Sequence, residues 1–260
     1  MDLLLENKVI IVTGGAKGIG EGIVEVLARE GAIPAVVGRN EADNEAVLKK
    51  IGGKGFQVVA ELTHPDACRN AVEKIVQHYG RVEGLVNNAG VNDGVNLENG
   101  SYDAFMASLH KNLVHYYLMA HHALPELKKS KGAIVNIGSK VAETGQGGTS
   151  AYAAANGGRN GLTREWAVEL LKYGIRVNAV IVAESYTPLY EKWVQTLPDP
   201  EKTLREISEK IPLGNRMTTA EELANMVAFL LSERSSHTTG QLIHVDGGYV
   251  HLDRAINTLK

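Results

Sequence analysis

The chain lacks the features that mark secreted, metal-binding and membrane proteins. Its single cysteine, Cys68, cannot form an internal disulfide, and neither a CxxC pair nor zinc-type Cys/His spacing is present. No apolar run approaches the ~20 residues that span a bilayer, and no signal peptide precedes the first strand-like segment. We therefore expect a cytoplasmic protein with no metal and no membrane partner.

Charge of one sign is also scarce, since 27 basic and 30 acidic residues leave a formal net charge of −3. Such a surface has no general attraction for phosphate backbones, so a nucleic-acid partner is not expected. Repeats and low-complexity linkers are absent as well. With 44% hydrophobic residues and 28 glycines, the composition is that of an ordinary globular chain. We expect one domain over residues 1–260, because a single α/β domain can reach this length.

What the chain does contain is an alternation of short β-branched runs with helical periodicity. The predicted strands are 9–12, 35–37, 56–60, 84–87, 133–137, 175–181 and 241–245, and the clearest predicted helices are 42–51, 65–79, 101–129 and 220–231. This alternation predicts a Rossmann-like, doubly wound α/β fold, with a seven-stranded parallel sheet and helices on both faces. Residues 185–212, a loop with small helices, are expected to form a substrate lid.

A glycine-rich turn, TGGAKGIG at 13–20, joins the first strand to the first helix. Backbone N–H groups and the helix dipole at such a turn can bind a pyrophosphate, and the alternative is an ordinary tight turn. The strand–turn–helix context favours a dinucleotide. Arg39, after the second strand, suits a ribose 2′-phosphate, and Lys17 offers a second positive charge, so NADP is favoured over NAD. Alternatively, both are solvated surface charges.

The stretch 136–159, NIGSKVAETGQGGTSAYAAANGGR, carries the candidate chemistry. Ser139 closes a predicted buried strand, and a helix begins near Tyr152. Tyr152 and Asn156 stand four residues apart, which places them on one helical face about 5–6 Å apart at Cβ. A serine, a tyrosine and a third polar group at one cleft indicate hydride chemistry with the tyrosine as acid or base.

Together, these motifs resemble the short-chain dehydrogenase/reductase family along essentially the whole chain. The resemblance rests on 13–20, on NNAG at 87–90, on Asn112, Ser139 and Tyr152, and on DGG at 246–248. The runs 91–94, 115–117, 145–147, 163–166, 186–190 and 246–254 are similar to bacterial L-fucose dehydrogenases. The resemblance implies a homotetrameric enzyme that oxidises the anomeric hydroxyl of L-fucose or a similar aldose to the lactone.

The resemblance also implies residue roles. Tyr152 would exchange a proton with the substrate oxygen, Ser139 would orient that oxygen, and Asn112 would hold a water in a proton relay. The cofactor-binding residues it implies are Gly14, Lys17, Gly18, Ile19, Gly20, Arg39, Leu62, Asn87, Ala89, Gly90, Asn156 and Thr187. Polar and aromatic side chains that suit a sugar are Asn92, Asp93, Gln146, Glu184, Tyr190 and Trp193. Each of these six has an alternative as a loop-structuring or lid residue.

One position departs from the family pattern, because Asn156 stands where the family has a lysine. A free tyrosine has a pKa near ~10 and is a poor base at neutral pH without a nearby cation. Losing a general base typically costs about 10²–10⁴ in rate. Lys140 lies one residue past Ser139 and Arg159 about two turns past Tyr152, so neither is expected to replace the lysine.

Three functions therefore remain open. The first is an aldose dehydrogenase impaired by Asn156. The second is a catalytically disabled protein that binds nucleotide or sugar, and the third is a dehydrogenase or reductase of another small alcohol or ketone. Four histidines on the predicted helix 101–129 lack the carboxylate/His spacing of a metal site, and helix packing or a subunit interface is the expected role for them.

Overall fold

A computed structural model describes residues 1–252, and its centre is a seven-stranded parallel sheet. The strands are Val9–Thr13 (β1), Ile33–Gly38 (β2), Phe56–Val59 (β3), Gly84–Asn87 (β4), Ala133–Ser139 (β5), Arg176–Val182 (β6) and Leu242–His244 (β7). They lie in the order β3-β2-β1-β4-β5-β6-β7, so the order reverses between β1 and β4. The predicted doubly wound fold is confirmed, and ligands in such sheets bind beyond the carboxyl ends of the strands at this reversal.

Nine α-helices in the described part of the chain cover the sheet or form the segment before α9. They are Gly18–Arg29 (α1), Glu41–Lys50 (α2), Pro65–Tyr79 (α3), Tyr102–Leu109 (α4), His115–Ser130 (α5), Ser150–Glu169 (α6), Pro188–Val194 (α7), Pro200–Glu209 (α8) and Ala220–Leu231 (α9). The predicted helices 65–79 and 220–231 have the bounds of α3 and α9. Pro65 at the first helical position explains one start, and a capping box of Thr219 and Glu222 explains the other.

Two apolar cores flank the sheet, one on each face. The first packs α3, α5 and α6 against the strands and includes Tyr116 and Trp166. The second packs α1 against α9 through residues such as Ile23, Leu27 and Val227. Each fully buried side chain of this size contributes roughly 1.5–3 kcal/mol. The β-branched strand runs are continuous because both faces of the sheet are covered.

The predicted helical stretch 101–129 is helical from Tyr102 to Ser130, but it is not α-helical throughout. A π-helical turn, His110–Val114, separates α4 from α5. Within that turn Asn112 Nδ2 donates to the main-chain oxygen of Ser108 (3.0 Å), so a side-chain amide joins the helical hydrogen bonding. Single π-helical turns of this kind are frequent at functional sites.

Smaller differences lie at the element ends. β5 runs on to Ser139, as expected for a serine that closes the strand, and α6 begins at Ser150, two residues before Tyr152. β7 is shorter than the predicted 241–245. The closing run that carried part of the resemblance ends at Arg254, and its last two residues lie outside the described residues. Within residues 1–252 no helix is both long enough and apolar enough to cross a membrane.

Candidate active site

The carboxyl ends of β1, β4, β5 and β6 bring four sequence-distant segments to one edge of the sheet. The register pairs Asn87 with Asn136 and Ser139 with Val182, so the ends of β4, β5 and β6 lie side by side. The glycine turn follows β1 at the same edge, with Gly14 N donating to the Val37 oxygen (2.8 Å). The motifs that the sequence singled out therefore meet where a doubly wound sheet binds its ligands.

The glycine turn has the geometry that a pyrophosphate requires. Gly14 and Gly18 have φ values of 63° and 60°, in the left-handed region. A Cβ at Gly20 would lie 2.1 Å from the Gly14 oxygen, so only glycine allows this close crossing. Lys17 at the α1 N-cap makes no side-chain capping bond, which leaves the first-turn N–H groups facing outward for an anion. These residues fit a dinucleotide.

Thr13 and Asn88 fasten this turn to the end of β4. Thr13 Oγ1 accepts from the N–H groups of Asn88 (2.9 Å) and Ala89 (3.1 Å), and Asn88 Nδ2 donates to the oxygens of Thr13 (3.0 Å) and Gly14 (3.2 Å). Both residues lie in motifs that the sequence identified, although neither was predicted individually as a site residue. Their position inside two glycine-containing motifs was the available signal.

A buried chain of polar side chains ties β4 and β5 to α6. Asn87 Nδ2 donates to Asn136 Oδ1 (3.1 Å), Asn136 Nδ2 donates to Thr163 Oγ1 (3.0 Å), and Thr163 Oγ1 donates to the Arg159 oxygen (2.8 Å). All four residues are buried. Asn87 thus braces the sheet, and Asn136 and Thr163, which complete this chain of contacts, were not among the predicted site residues.

The two basic residues predicted to bind a 2′-phosphate are each paired with a carboxylate. Arg39 Nη1 lies 3.4 Å from Glu61 Oε2, and Lys17 Nζ lies 2.7 Å from Asp43 Oδ2. Both basic side chains are well exposed, at 77% and 62%. Leu62 packs its side chain in the core, and its carbonyl accepts from the Cys68 thiol.

Ser139 and Tyr152 approach the site from β5 and α6, and both are half-buried. Ser139 is the last residue of β5, and its Oγ accepts weakly from Val141 N at 3.5 Å. Tyr152 lies in the first turn of α6. A hydroxyl at a strand end and a phenol at a helix start are both held by rigid elements, which suits a reaction that needs fixed geometry.

The same face of α6 continues with Asn156 and Arg159, which the structure brings together. Asn156 is fully buried; its Nδ2 donates to the Tyr152 oxygen (2.8 Å), and its Oδ1 accepts from Arg159 Nη1 (3.1 Å). The Arg159 guanidinium carbon lies 5.9 Å from the centre of the Tyr152 ring. Positions i, i+4 and i+7 share a helical face, and this spacing was the signal for Arg159.

Asn112 lies at the centre of the π-helical turn and contacts both the residue that follows the NNAG motif and α6. Its Oδ1 accepts from Val91 N (2.8 Å) and Arg159 Nη2 (3.5 Å), and its main-chain oxygen accepts from Arg159 Nε (2.6 Å). The turn thus presents a main-chain carbonyl sideways, which a regular helix would not do.

Beyond Ser139, a largely buried ion pair lies beside a group of three aromatic rings, two of which are on α7. Lys140 pairs with Glu184, whose Oε2 also accepts from the Tyr190 hydroxyl at 2.9 Å. Lys140 Nζ lies 4.1 Å from the centre of the Tyr249 ring, and Trp193 packs edge-on against Tyr190 at 5.1 Å. The Glu184 carboxylate and burial raise the pKa of Tyr190, with burial the larger cause. The sequence missed the Lys140–Glu184 pair.

The remaining predicted substrate residues separate from this group. Asp93 accepts from Ser108 Oγ (2.8 Å) and Lys111 Nζ (3.3 Å), so its carboxylate holds the loop to the helices beside it. Asn92 Oδ1 accepts from Gly94 N (3.3 Å) in a local turn, which is the loop-structuring alternative. Gln146 is exposed in the loop before α6. Thr187 caps α7 through Tyr190 N (3.2 Å) and lies against Gly18, where a Cβ would meet it at 3.3 Å.

The histidines of α5 and the π-helical turn do not form the tightest ligand cluster. His115 is buried with Nε2 2.9 Å from the Lys111 oxygen, and burial lowers its pKa to about 4. Among residues 1–252, the group whose ligand atoms lie within 4.8 Å of one another is Glu143, His244 and His251. A 3.0 Å contact between His244 and Glu143 joins two of them directly.

Proteins of known family are similar to this chain along nearly its whole length. A family model described as enoyl-(acyl carrier protein) reductase matches residues 14–250. The L-fucose dehydrogenase of Bos taurus is 36% identical over 93% of this chain and 89% of its own. The 3-oxoacyl-[acyl-carrier-protein] reductase of Thermotoga maritima is 37% identical over 95% of this chain and 99% of its own. The chain belongs to the short-chain dehydrogenase/reductase family.

Solved structures agree with this assignment. A dehydrogenase designated Cj0485 has a TM-score of 0.95 and 47% identity over 99% of both chains. The aldohexose dehydrogenase of Thermoplasma acidophilum has a TM-score of 0.90 and 31% identity over 98% of both chains. This short-chain dehydrogenase/reductase is accordingly an NAD(P)-dependent oxidoreductase, and the expected resemblance to L-fucose dehydrogenases is confirmed. Relatives named for acyl-carrier-protein substrates match equally well, so the family alone does not fix the substrate.

Proposed function

We propose that this protein oxidises the anomeric hydroxyl of L-fucose, or of a similar aldose, to the lactone and prefers NADP. The observation that carries the proposal is the polar wall beyond Ser139, where the Lys140–Glu184 pair and the Tyr190 hydroxyl lie next to aromatic rings. The hydroxyls of a sugar can hydrogen-bond to these polar groups, and its C–H face can pack on the aromatic rings. A fatty acyl chain would instead need an apolar wall. Relatives named for L-fucose and aldohexose support this choice.

For the site residues we propose the roles that the family resemblance implies. NADP, when bound at the glycine turn, supplies the hydride acceptor. Ser139 donates to the oxygen on C1 of the sugar and orients it. Tyr152, as tyrosinate, takes the hydroxyl proton while the C1 hydrogen leaves as hydride and a carbonyl forms. Asn112, beside Val91, is the residue proposed to hold a water that carries the proton outward.

The substrate and cofactor preferences rest on separate residues. For the sugar we propose Glu184, Tyr190 and Trp193 as the contacts, with the segment 185–212 acting as a lid. For the 2′-phosphate we propose Arg39 and Lys17, which would exchange their carboxylate partners for the phosphate. The negative charges of Glu61 and Asp43 would repel a 2′-phosphate, so NAD is the alternative cofactor, and both cofactors are compared in the experiment below.

A second candidate function has its own observation, the uncharged Asn156. With only the Asn156 amide at this position, Tyr152 would lack the cation that the family provides. The protein would then bind nucleotide and sugar with impaired turnover or none. Binding would survive better than turnover, because the glycine turn and the polar wall are intact. Cytoplasmic location and a homotetramer complete the proposal and rest on the family resemblance.

One experiment separates these functions. Nicotinamide reduction is followed spectroscopically with L-fucose, other aldoses and a 3-hydroxyacyl thioester, each with NADP and NAD, for this protein and for Tyr152→Phe. The proposal expects turnover with an aldose and NADP that is lost in Tyr152→Phe. Turnover confined to the thioester would contradict the sugar assignment, and tight binding without turnover would support the second candidate.

A further inference from the structure

Arg159 is a buried cation whose charge meets no carboxylate in the described part of the chain. Arg159 is only 3% exposed. Burying an arginine without a counter-charge lowers the stability of the folded state. The guanidinium instead donates to the oxygens of Asn112 (2.6 Å from Nε) and Ile137 (3.1 Å from Nη1) and to Asn156 Oδ1 (3.1 Å from Nη1). A buried charge of this kind is weak evidence for stabilisation, which directs attention to its place in the site.

The surroundings of the guanidinium are shaped to hold it in place. A Cβ at Gly90, the last residue of the NNAG motif, would lie 2.9 Å from Arg159 Nη2, so this glycine leaves the space that Arg159 needs. The π-helical turn supplies the Asn112 carbonyl. The Tyr116 ring stacks on the guanidinium at 4.3 Å, which is a favourable cation–π distance. Three separate elements therefore converge on one positive charge.

We propose that Arg159 provides the positive charge of this site and that Asn156 positions it, so that the pair together replaces the family's lysine. The proposal rests on the proposed function, in which Tyr152 acts as the base. Asn156 keeps a hydrogen-bonding role, while the charge comes from Arg159, which lies three positions further along the same helical face. The guanidinium carbon lies 5.9 Å from the centre of the Tyr152 ring, close enough to favour tyrosinate electrostatically.

The titratable groups named below, on the elements around α6, do not neutralise the charge of Arg159. His115 on α5 is neutral at physiological pH, because burial lowers its pKa to about 4. Tyr116 is neutral, since burial raises its pKa above the usual range. Lys111 is paired with Asp93, and Lys140 with Glu184. As an order of magnitude, two unit charges about 6 Å apart at an effective dielectric of about 20 interact with an energy equivalent to about a hundredfold in an equilibrium constant.

The test compares Arg159→Gln, Arg159→Lys and the double variant Asn156→Lys/Arg159→Leu, which moves the cation to the family's position. Arg164→Gln, on an exposed part of the same helix, removes one charge elsewhere and is the matched control. The measurement is the pH profile of kcat for aldose oxidation. We expect Arg159→Gln to move the rising limb up by about two pH units and to lower kcat near neutral pH by about 100-fold. Arg159→Lys and the double variant should keep the limb near its original position.

A structural role for Arg159 would lower the melting temperature and scale kcat equally at every pH, and that result would overturn the proposal. If Arg159→Gln fails to fold, the double variant decides: an unmoved limb supports charge relocation, and an inactive but folded and nucleotide-binding protein contradicts it.

A substrate-free readout separates this proposal from the function it rests on. Tyrosinate absorbance is titrated as the difference between each protein and its Tyr152→Phe version. If no aldose is oxidised but the titration midpoint still moves by about two pH units between this protein and Arg159→Gln, the substrate assignment fails and the role of Arg159 stands. An unmoved midpoint contradicts the role of Arg159, whatever the substrate.

Discussion

Restoring the family's lysine at position 156 should harm this protein rather than repair it. Asn156 Oδ1 accepts from Arg159 Nη1 at 3.1 Å, and losing a hydrogen bond to a charged group costs about 1.5–3 kcal/mol. A lysine ammonium about 4 Å from the guanidinium adds repulsion of up to about 4 kcal/mol at an effective dielectric of about 20, part of which the flexible lysine can relieve. We expect Asn156→Lys to lower the free energy of unfolding by about 2–4 kcal/mol.

Thermal unfolding of five proteins measures this cost: the parent, Asn156→Lys, Arg159→Leu, the double variant and Ala154→Lys. For a chain of this length, the loss corresponds to a melting temperature lower by about 5–15 °C. Ala154→Lys adds the same charge to an exposed position of α6 and should change little. Adding Arg159→Leu to Asn156→Lys removes the repulsion and should recover about 2 kcal/mol or more, which a double-mutant cycle reports as coupling. If Asn156→Lys alone is as stable as the parent and turns over faster, the two cations coexist and the amide is a defect after all.

Two further predictions concern the cofactor and acid stability. Arg39→Ala should weaken NADP binding about tenfold or more while leaving NAD within about threefold, because only NADP carries a ribose 2′-phosphate for the guanidinium. Fluorescence titration of both reduced cofactors measures this, and equal weakening would contradict the assignment. Arg216, through a bidentate pair, lowers the pKa of Glu222 to about 2. Because the folded-state pKa is depressed, this stabilisation is complete above about pH 4.5 and is lost as the pH falls toward 2. The stability difference between the protein and Glu222→Gln should therefore shrink across that interval in urea unfolding, and a constant difference would contradict the coupling.

The sheet was predictable because local chemistry and global fold agree in it. β-branched runs such as that of β1 are buried on both faces, and each is followed by glycine or turn residues that end the strand. Pro65 and the Thr219 capping box mark the starts of α3 and α9, and the first residues of both helices were predicted correctly. The π-helical turn was not predictable from periodicity, since a single turn with wider hydrogen-bond spacing hardly changes the apolar pattern of the helix around it.

The candidate site was predictable at its motifs and not at the contacts between them. The positions of Ser139, Tyr152 and the glycine turn could be predicted, because each lies in a short sequence motif. The pair of Lys140 and Glu184 spans two strands, and no local pattern signals it. Arg159 shares a helical face with Tyr152, but its burial depends on the space at Gly90 and on the turned carbonyl of Asn112. Tertiary packing alone brings those groups together.

The most direct measurement of the central claim uses L-fucose carrying deuterium at C1. The protein is incubated with this sugar and NADP, and the reduced cofactor and the sugar product are analysed by mass spectrometry. The account predicts deuterium in the NADPH and a lactone as the first product, both absent with Tyr152→Phe. NADPH formed without deuterium, or no NADPH from any aldose, would contradict oxidation at the anomeric carbon.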